Sequence, residues 1–432
     1  MTSTRNERPA PPIVRWLTIG VVSLVIGFWS LSVVLGTVNA VRDSYHGMKQ
    51  DVTVKNDFPM FYAGTENVVS ADRGQTYNKQ FIIDSILGQW SDPESETAQG
   101  LVPLLRYYNP PFYLLALSPL TLLDMHTAFL VIVLINAVLL GVLLVLVGVA
   151  LQWRKVPTFL ISLATIGFVG VPTAIYNGQP TILIAILVMA AYLLMHRGRS
   201  TLAAMLLAVC AAKPHLAVAA ALPVLRQKPQ TVVPLAMFAA ALTLVPFALL
   251  GFGALMDYVS LIFGRGGDDL ADSNYTYRVL SWPGFFAALT GSSQPLAAIA
   301  MSLITLGLLV IVLREGDRFL IWPASMMALL SVLPHSHAQD WLIAVPAVVI
   351  LLLRPMDATA RAVTIGLLAI GYVAINSWLF EVEVAGDGGR AFYAPAPFVL
   401  LLLGWLAALP VLERRSANQP AAIGSKASAV AA

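Results

Sequence analysis

The stretch TAFLVIVLINAVLLGVLLVLVGVA, residues 127–150, carries no charged side chain over 24 consecutive positions. About 20 such residues in an α-helix cross a hydrocarbon core about 30 Å thick. The run does not alternate apolar and polar residues in the short dyads of an outer-membrane barrel, so a helix is the spanning element. Comparable runs lie on both sides of it, at 14–41, 157–173, 180–195, 200–225, 231–251, 294–313, 319–333, 339–353, 362–380 and 395–412. The run at 200–225 is interrupted by Lys213-Pro214 and reads as an up-and-down pair, which brings the expected total to about 12 crossings. The short piece at 110–123 reads as dipping into the membrane without spanning it. The first run follows Arg5, Arg8 and Arg15 in the manner of a secretory leader, but its apolar core is too long for one and is expected to stay as the first span.

Composition supports the same class. The chain is 58% hydrophobic and 11% charged, whereas a soluble domain carries about 25% charge. Its net charge of +3 is spread over short clusters between apolar runs, a pattern that does not fit a nucleic-acid partner. The single cysteine, Cys210, cannot form an internal disulfide.

Lys and Arg in short loops mark the cytoplasmic side. With the N-terminus inside, every inner loop is basic: Arg154-Lys155, Arg197 and Arg199, Arg226 and Lys228, Arg314 and Arg318, Arg354 and Arg361, then Arg414-Arg415. The expectation is an all-α polytopic protein of the cell membrane, multi-pass, with both termini cytoplasmic and residues 1–415 as one domain. Residues 42–106 form a first outer loop, residues 252–281 a second, and 416–432 a disordered cytoplasmic tail. Carboxylates concentrate in the outer loops, including Asp57, Glu66, Asp268, Asp269 and Asp272, which directs function outward.

Within the first outer loop, Asn56-Asp57-Phe58-Pro59-Met60-Phe61-Tyr62-Ala63-Gly64 places one carboxylate among aromatic rings. Desolvation by those rings makes a carboxylate more basic and suits it to take a proton from an alcohol. The same aspartate is also well placed to cap a helix over 58–69. Tyr107-Tyr108-Asn109-Pro110-Pro111-Phe112-Tyr113 and Tyr176-Asn177-Gly178-Gln179-Pro180 carry amides and rings suited to hydroxyl-rich ligands, and equally the features of an interfacial aromatic belt and a turn. Lys213-Pro214-His215 interrupts an apolar run, where a lysine must be paired, reach water, or serve a function such as binding phosphate. His335-Ser336-His337 with Asp340 opens a late span. Imidazoles two residues apart do not share a helix face, so the motif suits hydrogen bonding to phosphate or sugar better than a metal. Asp268-Asp269-Leu270-Ala271-Asp272 lacks the glycine and terminal glutamate of a calcium loop, and no metal or cofactor is expected. Tyr275, Tyr277 and Arg278 follow it and suit an acceptor or lipid-phosphate cleft. No Gly-rich phosphate loop, nucleophile elbow or zinc helix is present.

The order Asp57-Phe58 and Phe61-Tyr62-Ala63-Gly64, Tyr108-Asn109-Pro110-Pro111-Phe112, Asn177-Gly178-Gln179, Lys213-Pro214 and Pro334-His335-Ser336-His337 resembles one family of polytopic glycosyltransferases of the C-type superfamily. That family includes the polyprenol-phosphate-mannose-dependent mannosyltransferases of phosphatidylinositol mannoside assembly. The resemblance implies inverting transfer of a hexose from a polyprenyl-phosphate donor to a lipid or glycan acceptor on the extracytoplasmic face, by a monomer among membrane lipids. It implies Asp57 as general base, with His337 and His335 at the donor phosphate or reacting sugar. Lys213 and Arg278 would bind the donor phosphate, and Tyr62, Tyr108, Asn109, Asn177 and Gln179 the substrates. Asn109 before the proline pair and Ala338-Gln339 after His337 depart from the pattern expected in many relatives, which bears on substrate preference. The reading from another class is a secondary transporter of a polar or anionic solute, whose broken spans would line a path at the bilayer midplane. A scaffold or assembly partner is a third.

Overall fold

The computed structural model describes residues 12–50, 56–90, 108–263, 279–290, 294–334, 336–376 and 395–418. Among them every regular element is helical. In chain order these are α1 (Pro12–Lys49), α2 (Phe58–Val69), α3 (Lys79–Leu87), α4 (Pro111–Leu117), α5 (Met125–Ala150), α6 (Lys155–Ile166), α7 (Gly170–Tyr176), α8 (Thr181–His196), α9 (Ser200–Val209), α10 (Pro214–Gln227), α11 (Val232–Leu250), α12 (Phe252–Phe263), α13 (Trp282–Thr290), α14 (Pro295–Glu315), α15 (Arg318–Val332), α16 (Ala344–Leu352), α17 (Ala358–Asn376) and α18 (Ala396–Asn418). A 3-10 turn, Ala338–Ile343, leads into α16.

Six described helices are long and apolar enough to cross a membrane: α1, α5, α11, α14, α17 and α18. The pair α6–α7, bent by 48°, makes a seventh if it counts as one span. The expected runs at 180–195, 200–225, 319–333 and 339–353 fold as shorter apolar helices, so the total of 12 full-length crossings does not follow from helix length. The reason is local. Lys213 before Pro214 is forced into an extended conformation (φ −128°, ψ 95°) that divides 200–225 into α9 and α10.

Two layers result. The bundle core joins α5, α8, α9, α10, α15, α16 and α18 through small and branched side chains such as Ala185, Val188, Ala219, Ala324 and Leu403. Beyond one end of it lies a cap of short helices, α2, α3, α4 and α12, held by Phe61, Ile82, Tyr113, Phe247 and Tyr258. Helix α1 is 38 residues, or about 57 Å, long. That exceeds the hydrocarbon thickness, and its last turns (Val41, Tyr45, Met48) pack with Phe58 and Phe129 in the cap. Along its first two-thirds α1 exposes Leu24, Val25 and Phe28, the apolar surface a helix shows to lipid.

The opposite end of the bundle gathers the basic loops. Arg226 donates to the Leu313 carbonyl at 2.7 Å. Arg354 donates to Asp317 and, through both terminal nitrogens, to Glu413. Arg414 pairs with Glu315. The basic segments at Arg226, Arg354 and Arg414 thus meet around the turn at 313–317. The tail beyond Asn418 and half of the second outer loop, residues 264–278, lie outside the described residues.

Candidate active site

Asp57 occupies the N-cap position of α2, yet its carboxylate makes no capping hydrogen bond. Pro59 removes one donor of the first turn, and the Phe58 amide is taken by the Asn56 side chain at 3.2 Å. The Asp57 carboxylate turns to the loop between α7 and α8, where the Gln179 amide donates to Oδ2 at 2.5 Å. Asn177 Oδ1 in turn accepts from the Asp57 backbone N–H at 3.4 Å. Gly178 between them adopts φ +65°, and a Cβ there would stand 3.1 Å from the Phe58 ring. Only glycine allows both that turn and that approach. Two motifs 120 residues apart in sequence therefore form one group, with the Gln179 Oε1 buried and unpaired among the described residues.

A second group forms around Asp340, which is fully buried. Lys213 Nζ donates to its Oδ1 at 2.6 Å, His215 Nε2 lies 3.4 Å from its Oδ2, and the His337 backbone N–H donates to Oδ2 at 3.0 Å. Lys213 reaches this position because its proline-induced turn stands at the same end of the bundle as the 3-10 turn carrying Asp340. The pairing satisfies a cation that an apolar setting would otherwise penalise. The pairing of Asp340 with Lys213 is the contact of this group that sequence reasoning missed. The signal available was that a lysine inside an apolar run needs a counter-ion, and Asp340 opens a span at the same end.

Neighbouring helices tie the groups together. Gly170 lets α7 approach the 3-10 turn closely enough that a Cβ would stand 3.0 Å from the Ala338 carbonyl. The segment before α4 touches both groups. The Asn109 amide donates to the Ala212 carbonyl at 2.9 Å, supporting the turn at Lys213, and the Tyr113 hydroxyl donates to the Gly178 carbonyl at 3.4 Å.

The other expected site residues are placed as follows. The Tyr62 hydroxyl donates to the Leu123 carbonyl at 2.7 Å, and burial, helped by Glu66 and Asp124, pushes its pKa up to about 12. It stays a neutral hydroxyl and is no base at physiological pH. The Tyr108 carbonyl accepts from the Tyr258 hydroxyl at 3.2 Å. His335 and Arg278 lie outside the described residues. Among the described residues no group of three His, Cys, Asp or Glu stands together as a metal site.

A helical membrane protein with one held carboxylate, at Asp57, and a second group of a lysine, an aspartate and two histidines fits the class of membrane-embedded group transferases. The model of glycosyltransferase family 87 matches residues 107–336, more than half of the chain. The chain belongs to glycosyltransferase family 87 and is a membrane glycosyltransferase. No curated protein and no solved structure matches it. The matched segment includes Tyr108, Asn109, Asn177, Gln179, Lys213 and Arg278, while Asp57, His337 and Asp340 lie outside it.

Proposed function

We propose that this transferase moves a hexose, with mannose the sugar implied by the resemblance, from a polyprenyl-phosphate donor to a hydroxyl of a lipid or glycan acceptor, inverting the anomeric carbon. The observation that carries the reading is the carboxylate of Asp57, released from helix capping and fixed by Gln179.

A phosphate-linked sugar already carries a good leaving group, so catalysis needs a base, charge compensation on the phosphate, and fixed geometry. Asp57 takes the acceptor proton as the acceptor oxygen attacks the anomeric carbon from the face opposite the phosphate. The bond from that carbon to the phosphate oxygen breaks, and its electron pair leaves on the polyprenyl phosphate. The hydrogen bond from Gln179 fixes one carboxylate oxygen and aims the other. The donor phosphate lies at the group built by Lys213 and His337, with His335 and Arg278 as further contacts. Asn177, Gln179, Tyr62, Tyr108 and Asn109 shape the sugar and acceptor side, the last by supporting the turn at Lys213. No step calls for a cofactor or a metal.

The basic end of the bundle faces the cytoplasm by the positive-inside rule, so the site and its cap face outward in the cell membrane. Both termini are cytoplasmic and the working unit is a monomer.

The test is transfer by the purified protein in nanodiscs, offered polyprenyl-phosphate hexoses and nucleotide hexoses with a membrane lipid extract as acceptor. Product from the lipid-linked donors alone, with the anomeric configuration inverted by NMR, is the expected result. Transfer from a nucleotide sugar, or retention of configuration, would overturn the reading.

A further inference from the structure

The buried group around Asp340 contains more cationic capacity than one phosphate contact needs, and its members are not equally placed to supply it. The Lys213 side chain is 10% exposed and its ammonium lies 2.6 Å from a carboxylate that is 1% exposed. Its charge is already matched by Asp340. His215 touches the same carboxylate but keeps 26% of its side chain exposed. Two buried donors flank the group in sequence, the Ser336 hydroxyl and the Trp341 indole N–H, and neither has a partner among the described residues.

We propose that His215, braced by Asp340, is a further catalytic residue that meets the donor phosphate beside Lys213 and His337, and that Asp340 is the positioning residue. The inference rests on the lipid-phosphate donor reading above. Asp340, ionised beside Lys213, can only accept hydrogen bonds, so His215 must donate to it through Nε2. In a neutral ring the other nitrogen, Nδ1, then carries a bare lone pair and repels a phosphate oxygen. In the protonated ring Nδ1 donates, and a phosphate gains a charge-assisted hydrogen bond. The reaction turns a phosphodiester with one negative charge into a phosphate monoester with two, since the electron pair of the breaking bond stays on the phosphate oxygen. The Lys213–Asp340 pair is neutral overall and cannot offset that added charge. A protonated His215 can, so it favours the leaving group over the bound donor. The sequence places His215 correctly for this, one residue past the proline that fixes the turn at Lys213.

The probe is farnesyl phosphate, a short-chain version of the leaving group, with farnesol as its uncharged control. Both are titrated by equilibrium dialysis against the full-length protein in detergent. Wild type binds farnesyl phosphate more tightly than farnesol. His215→Gln loses about tenfold or more of the farnesyl phosphate affinity while farnesol affinity stays within about twofold, the loss expected for one charged hydrogen bond. His215→Lys, which restores a cation, recovers most of the loss, a rescue that a merely structural role would not give. A His215→Gln protein that holds farnesyl phosphate within about twofold of wild type would overturn the assignment of His215 and leave the donor reading standing. Equal affinity of wild type for both probes would overturn the donor reading and this inference with it.

Discussion

At the scale of single residues the account turns on how Asp57 is held. The Gln179 amide takes one carboxylate oxygen at 2.5 Å, and the backbone of Asp57 is itself fixed by Asn177. A group acting only through this orientation should affect turnover more than binding. Gln179→Leu is expected to lower kcat by about 10- to 100-fold with donor KM little changed, the range one hydrogen bond to a charged group supports. Steady-state kinetics check this, and an unchanged kcat would separate Gln179 from the mechanism. The residues of this group were legible as motifs because each is a short contiguous signal. Whether Asp57 capped its helix or faced outward was not legible. That choice depends on Asn56 taking the Phe58 amide, on Pro59 lacking one, and on Gln179 arriving from 122 positions away.

At the scale of elements, the turn between α9 and α10 and the 3-10 turn before α16 are joined through Lys213 and Asp340. Breaking a buried pair from one side strands a charge and costs about 3–5 kcal/mol, whereas replacing both partners with apolar side chains costs much less. Lys213→Met is therefore expected to lower the denaturation temperature in detergent clearly, and the double variant Lys213→Met, Asp340→Leu to regain most of that loss while remaining inactive. A double variant no more stable than the single one would contradict the pairing. The break at Lys213-Pro214 could be read from the sequence, because proline dictates the backbone before it. Its partner was harder to read, since only the need of a buried lysine for a counter-ion links positions 127 residues apart. The expected total of about 12 spans does not follow from helix length for a related reason. Runs such as 319–333 and 339–353 are apolar because the bundle buries them, with Leu320, Trp322, Leu342 and Val349 nearly inaccessible. Burial by protein and burial by lipid leave the same signature in composition.

At the scale of the whole molecule, the basic loops and the candidate site occupy opposite ends of the bundle, with an aromatic cap over the site end. The proposed orientation is open to labelling. The single native cysteine, Cys210, is fully buried and stays silent. A membrane-impermeant maleimide should label Asp72→Cys in intact spheroplasts and Lys228→Cys only after lysis, and the reverse pattern would invert the topology. The central claim is that Asp57 is the base of an inverting lipid-dependent transfer. Its most direct measurement is the rate of hexose transfer from a polyprenyl-phosphate donor by Asp57→Asn, purified beside wild type and shown by denaturation temperature to be folded. The account predicts loss of at least about 100-fold in kcat, at the lower end of what a general base contributes. Turnover by folded Asp57→Asn at the wild-type rate would contradict it.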